Sequence, residues 1–237
     1  MRGLYVIVDL DALAARGLDP LAFAAAALAG RPCALQLRAK SATPEETVAL
    51  LRALRPLCSA AGVPLVANDR PDLAVVAGAD MVHVGQTDAS PMLVRAVAPK
   101  LALGISTHTP EQLNDALRHM PSYVAFGPVW QTRSKSAPDP VVGVAGLKQA
   151  VRLLRHHAAE TGDAPPLVAI GGVTLDRVAE IAGFVSAAAV ISDLLPPSDL
   201  AGDDAYAYVR ARTSQFAAAF VDPVRASLVS LPEAGRS

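Results

Sequence analysis

The chain has 237 residues, with 21 lysines and arginines against 22 aspartates and glutamates and a net charge of −1, so it carries no basic field to attract nucleic acid. It is 52% hydrophobic, only 4% aromatic and 18% charged, and a chain of this size buries a large core within the range of a single α/β barrel. Its two cysteines, Cys33 and Cys58, exclude a disulfide framework and a cysteine-ligated metal cluster and read as small core residues, Cys33 inside a buried strand.

Short apolar or β-branched runs alternate with longer segments of helical period. Taken in chain order as strand then helix, they are 4–9 and 20–29, 33–38 and 44–61, 64–68 and 71–77, 81–84 and 91–98, 101–106 and 110–119, 123–128 and 144–159, 167–171 and 175–182, and 184–191 and 199–220. Several helices open on proline, where the missing N–H costs nothing. The strands lack polar alternation, so they are buried on both faces, which requires parallel pairing with helices outside. Eight such units close into a single (β/α)8 barrel. An open doubly wound sheet is the alternative, but its G-x-G-x-x-G fingerprint after the first strand is missing. One catalytic domain over residues 1–220 is expected, with 221–237 a loosely held extension. The opening MRGLYVIVDLD reaches acidic side chains too early for a signal-peptide core, and the alanine-rich run from Leu21 to Leu28 is far shorter than the ~20 apolar residues of a spanning helix. A cytoplasmic protein without a membrane partner is expected.

In a barrel, side chains at the C-terminal strand ends face the active site. The second strand ends Gln36-Leu37-Arg38-Ala39-Lys40, which puts Gln36, Arg38 and Lys40 on one side: a diphosphate clamp, or else a solvated strand end. The third delivers Asn68-Asp69-Arg70, and Gly85-Gln86-Thr87-Asp88 follows the fourth. On neighbouring strands Asp69 and Asp88 converge into a seat for Mg2+, which shares its site with substrate phosphates. Alternatively, Asp69 caps the helix that starts at Pro71. In the fifth strand Gly104 would admit a ligand to the backbone and Ser106 would hydrogen-bond it, while His83 and His108 read as structural. The loop after the sixth strand offers Thr132, Ser134 and Lys135, two hydroxyls and a cation suited to a leaving phosphate, or an irregular exposed loop. Gly171-Gly172 and Ile191-Ser192 end the strands from which barrels often build a monophosphate site.

Leu4-Tyr5-Val6-Ile7-Val8-Asp9, Gln36-Leu37-Arg38-Ala39-Lys40, Asn68-Asp69-Arg70, His83-Val84-Gly85-Gln86 with Asp88, Gly104-Ile105-Ser106-Thr107-His108-Thr109, Tyr123-Val124-Ala125-Phe126-Gly127-Pro128, Thr132 with Ser134-Lys135, Ile170-Gly171-Gly172-Val173 and Val190-Ile191-Ser192 occur in this order. Together they closely resemble the thiamine-phosphate synthase family. The resemblance implies a magnesium-dependent transferase that joins a hydroxymethylpyrimidine diphosphate to a thiazole phosphate, giving thiamine phosphate and diphosphate. It further implies that Gln36, Arg38, Lys40, Asn68, Ser106 and Lys135 hold the pyrimidine diphosphate and Asp69 and Asp88 the metal. Thr132, Ser134, Gly172, Ile191 and Ser192 would hold the thiazole phosphate. Arg38, Lys40 and Lys135 would stabilise charge on the departing diphosphate, because the family reaction ionises before the thiazole nitrogen attacks.

The chain departs from the family pattern at Gln131, usually proline, at Ser134, usually threonine, and at Asp193, usually alanine. Asp193 is expected to compete with the bound phosphate. Three alternatives stay open: a thiazole tautomerase-like isomerase, against which Asp69, Asp88 and Pro128 argue; a Schiff-base aldolase or phosphosugar isomerase with Lys40 as nucleophile; and a non-catalytic paralogue that binds thiamine precursors. Composition leaves a homo-oligomer open.

Overall fold

The computed structural model describes residues 1–132 and 139–221. Its parallel strands close into a barrel in sequence order: β1 (Gly3–Asp9), β2 (Ala34–Arg38), β3 (Leu65–Asn68), β4 (Met81–Val84), β5 (Ala102–Thr107), β6 (Tyr123–Phe126), β7 (Leu167–Ile170) and β8 (Ala187–Val190), the last pairing with the first. This is the expected (β/α)8 architecture. Around it lie α1 (Leu10–Ala14), α2 (Pro20–Leu28), α3 (Pro44–Ala61), α4 (Pro71–Ala77), α5 (Pro91–Val97), α6 (Pro110–Leu117), α7 (Gly143–Thr161), α8 (Leu175–Ile181) and α9 (Gly202–Val221).

The two-residue period of a strand divides the core into two layers. Leu4, Val6 and Val8 of β1 face outward into the layer shared with the helices, together with Leu35, Leu37, Phe23 and Leu51. Tyr5 and Ile7 face inward with Tyr123, Val66 and Val168. Both faces are apolar, which is why the strands show no polar alternation. Met81, Ala34, Ala125, Ala187 and Ala189 complete the inner cluster, and the small alanine side chains leave room in the barrel interior for the two tyrosine rings.

Helix starts follow local chemistry. Thr43 and Glu46 form a reciprocal capping box before Pro44 at 3.2 and 2.8 Å, and Gly62, in the left-handed region at φ +67°, closes α3. The extra helix α1 is too short to give a periodic signal; Asp9 caps it by accepting the Ala12 N–H at 3.0 Å. Two expectations are corrected. The eighth strand is half the expected length, because Phe184 turns back to the carbonyl of Ile181. Cys33 lies just before β2 and is half-buried. The expected extension falls, from residue 222 onward, outside the described residues. No helix among the described residues is long and apolar enough to cross a membrane.

Candidate active site

β3 hands the chain to Asp69, which adopts φ +64°, a left-handed conformation that aspartate tolerates better than most residues. Its N–H donates to the His83 carbonyl at 2.8 Å, tying the end of β3 to β4. The carboxylate does not cap α4, whose N-cap residue is Arg70 with no side-chain cap bond. It is instead ion-paired with Lys40, whose ammonium also lies 3.9 Å from Asp88 Oδ1. Asp88 is aimed by its own turn, Oδ2 accepting the Gly85 N–H at 2.8 Å. The two carboxylates therefore meet around one cation. Burial, then the adjoining Asp88, pushes the Asp69 carboxyl up to about 6. Asp88 itself, in spite of burial that acts to raise it, is held below the usual carboxylate range by Asp69, the Gly85 N–H and Lys40.

Among the described residues no group of three or more histidine, cysteine, aspartate or glutamate side chains could hold a metal ion. Magnesium does not require one: it keeps several waters and binds through one or two carboxylates plus substrate phosphates. Two crowded half-buried carboxylates, one with a raised proton affinity, fit that donor set.

A buried polar network underlies the cavity, which its members Gln36, Asn68 and His83 line. Tyr5 donates to Gln36 Oε1 at 2.8 Å, the Tyr5 and Tyr123 hydroxyls are 2.8 Å apart, and His83 Nδ1 is 2.9 Å from the Tyr123 hydroxyl. Gln36 Nε2 donates to Asn68 Oδ1 at 2.5 Å. Gly104 lies opposite both His83 and Tyr123 in the strand register, and a Cβ there would fall 2.1 Å from the Tyr123 ring. The expectation that Gly104 admits a ligand is thus corrected. The Tyr123 ring takes that space and stacks on His83, centroids 5.6 Å and planes 13° apart.

Arg38 of β2 pairs with the buried Asp9 beside it in the β1 register, Nη1 to Oδ2 at 2.5 Å. Gln36, Arg38, Lys40, Asn68, Asp69, Asp88, Ser106, Thr132, Gly172, Ile191 and Ser192 all line one cavity of about 480 Å³ at the C-terminal end of the strands. That volume suits a small-molecule ligand. Arg38, Lys40, Thr132, Gly172, Ile191 and Ser192 also border an adjoining cavity of about 800 Å³, so the two cations stand between two lobes. Ser134 and Lys135, expected on the leaving phosphate, lie outside the described residues.

The phosphate end departs from expectation at Asp193. Its Oδ2 accepts from Arg212 Nη2 at 2.8 Å, Arg212 Nε at 3.1 Å and the Leu175 N–H at 3.0 Å. A carboxylate neutralised by a guanidinium does not repel a neighbouring anion as a free one would. Trp130, beside the unusual Gln131, is also anchored: its N–H donates to Gly171 O at 2.9 Å and Arg177 lies 5.5 Å over its ring. Gly172, at φ +66°, needs to be glycine twice over, since a Cβ would meet Gln131 O at 2.6 Å.

Tyr5, Tyr123, Asp9 and Arg177 were not singled out from the sequence. An aromatic residue in an apolar strand reads as core, and Asp9 reads as a strand end. For Tyr5 and Asp9 the signal was the inward position at every second residue, which places Tyr5, Ile7 and Asp9 on one side of β1. His83 and His108 were read as structural; both line the cavity, His108 with Nδ1 2.6 Å from Gly127 O and Nε2 3.4 Å from Asp139.

The chain matches the Thiamine monophosphate synthase family over residues 4–194. It is 44% identical over 204 residues to a thiamine-phosphate synthase of Koribacter versatilis, covering 81% of this chain and 88% of that one. It is 39% identical over 199 residues to the corresponding protein of Anaeromyxobacter dehalogenans, covering 83% and 82%. The solved structure of a thiamine phosphate pyrophosphorylase from Pyrococcus furiosus superposes with a TM-score of 0.76 at 27% identity, covering 94% of this chain and 96% of that one.

Proposed function

This chain belongs to the thiamine monophosphate synthase family, and we propose that it works as a transferase with the cavity residues divided between two substrates. It condenses 4-amino-2-methyl-5-hydroxymethylpyrimidine diphosphate with a thiazole phosphate, giving thiamine phosphate and diphosphate. The observation that carries the assignment of residues is the meeting of Asp69, Asp88 and Lys40 at the rim of a cavity lined by Gln36 and Asn68.

Gln36, Asn68 and Ser106 hold the pyrimidine diphosphate in the first lobe, with Arg38 and Lys40 at the boundary. The thiazole phosphate is held by Thr132, Gly172, Ile191 and Ser192, with Ser134 joining them. Bond breaking sends the electron pair of the methylene C–O bond onto the diphosphate, and the thiazole nitrogen supplies the pair for the new C–N bond. No proton is removed, so no general base is needed; the demand is for positive charge where negative charge develops. Arg38 meets it with a planar fork, one nitrogen of which is fixed by Asp9. Lys40, half exposed, can swing its ammonium from the carboxylates to a diphosphate oxygen, and Lys135 adds a third cation. Asp69 and Asp88 would hold Mg2+, which when bound neutralises diphosphate charge as a Lewis acid.

The alternatives are less well supported. Lys40, the nucleophile of an aldolase reading, is engaged by two carboxylates. The argument for a non-catalytic paralogue weakens because Asp193 is paired with Arg212. Incubating purified protein with both substrates and magnesium tests the proposal: thiamine phosphate and diphosphate should appear in equal amounts, and absence of both products would reject it.

A further inference from the structure

The hydrogen bonds beneath the cavity form an unbroken chain, His83–Tyr123–Tyr5–Gln36–Asn68, whose links are 2.9, 2.8, 2.8 and 2.5 Å long. Such a chain has a direction, because each hydroxyl carries one proton. We propose that Tyr5, Tyr123 and His83 are positioning residues: the direction of their hydrogen bonds sets which way the Gln36 and Asn68 amides face the pyrimidine diphosphate. This rests on the reading above that those two amides hold that substrate.

Gln36 Oε1 can only accept, so Tyr5 donates to it. With its proton committed, the Tyr5 oxygen accepts from Tyr123, and the Tyr123 oxygen accepts from His83, which must carry a proton on Nδ1. At the other end Gln36 Nε2 donates to Asn68 Oδ1, which leaves the Asn68 amino group for the cavity that it lines. Asn68 then offers a donor to an anion.

The reverse order also pairs every link of this chain. His83 Nδ1 accepts, each hydroxyl proton points the other way, both amides turn by half a rotation, and Asn68 offers its carbonyl oxygen instead. Reversing one link alone sets two donors or two acceptors face to face. Tyr5, Tyr123 and Gln36 are each no more than 3% exposed, so water cannot repair such a mismatch, and the chain reverses as a unit. Gly104 belongs to the device, since the Tyr123 ring reaches its place only through the space a Cβ would fill. A diphosphate selects the first order because it accepts from an amino group and is repelled by a carbonyl oxygen. The ring nitrogen that carries the His83 proton and the donor pattern met by the substrate are therefore one variable.

Nitrogen-15 NMR of the full chain labelled at histidine, with and without magnesium and inorganic diphosphate, reads this directly. His83 is assigned by the resonances missing in His83→Gln. With diphosphate bound, His83 should be protonated on Nδ1; an unprotonated Nδ1 overturns the proposal. Kinetics supply the second test. Tyr5→Phe removes the link that holds Gln36 Oε1 and should raise KM for the pyrimidine diphosphate about tenfold, while KM for the thiazole phosphate stays within about twofold. Tyr123→Phe, which keeps the Tyr5 donor but frees its direction, should give a smaller rise in the same constant and serves if Tyr5→Phe does not fold. No change in either constant, or an equal rise in both, contradicts a positioning role. A wild-type protein that forms no thiamine phosphate would reject the functional reading instead, and the NMR result would still decide the direction of the chain.

Discussion

Arg212→Met isolates the residue pair that distinguishes this phosphate end from the family pattern. Arg212, on α9, gives Asp193 two hydrogen bonds at 2.8 and 3.1 Å, and the two side chains are 21% and 16% exposed. Breaking a fully buried pair costs about 3–5 kcal/mol and an exposed one about 0–1 kcal/mol, so a loss of about 2 kcal/mol is expected at this depth. Burial already raises the Asp193 carboxyl, and Arg212 opposes that rise. Without the guanidinium the folded-state value climbs further above the unfolded one. A carboxyl raised in this way binds its proton more tightly in the folded state, so the variant's deficit should be small in acid and grow as pH rises through the shifted range. Urea unfolding at pH 5 and pH 7 measures this, and Asp193→Asn in the same background should restore most of the loss. The uncompensated carboxylate should also raise KM for the thiazole phosphate and leave KM for the pyrimidine diphosphate unchanged. An Arg212→Met protein with the wild-type unfolding midpoint and both KM values intact would refute the neutralisation argument.

Asp88→Asn keeps the side chain's size and its acceptor for Gly85, so the fold should survive while kcat falls more than about tenfold, over ~1.4 kcal/mol of barrier. In the wild type, magnesium must displace the proton that Asp69 binds at about pH 6, so apparent magnesium affinity should weaken as pH falls below that value; in Asp88→Asn, with one carboxylate gone, the weakening should set in at lower pH. A magnesium dependence identical at pH 5 and pH 8 would contradict the shared seat. Gly104→Ala drives a methyl group into the Tyr123 ring and should lower stability by about 1–3 kcal/mol. Its thermal melt should shift down and KM for the pyrimidine diphosphate should rise; an unshifted melt would mean the ring does not depend on that space.

The barrel was legible because the strands are buried on both faces and several helices announce their start, as Thr43-Pro44-Glu45-Glu46 does with a capping box. The meeting of Asp69 and Asp88 was legible for a similar reason: once two successive strands are taken as parallel neighbours, their ends are close by construction. Contacts that depend on closure across the barrel were not. Tyr5 and Tyr123 are 118 positions apart and meet only because β1 and β6 both face the same interior. The pairing of Asp193 was not legible because its partner Arg212 lies on a different element, 19 residues away. Gly104 was taken as an opening for a ligand because glycine marks close approach without saying what approaches.

The proposed function requires that Asp69 and Asp88 jointly hold the divalent ion at the diphosphate end of the site. Diphosphate release from both substrates, followed against magnesium concentration in the wild type and in Asp69→Asn, tests it most directly. The wild type should show a saturable magnesium requirement, abolished by chelation, and Asp69→Asn should need at least about tenfold more magnesium for half-maximal rate. A wild type that turns over fully in chelator, or an Asp69→Asn variant with the wild-type magnesium curve, would contradict it.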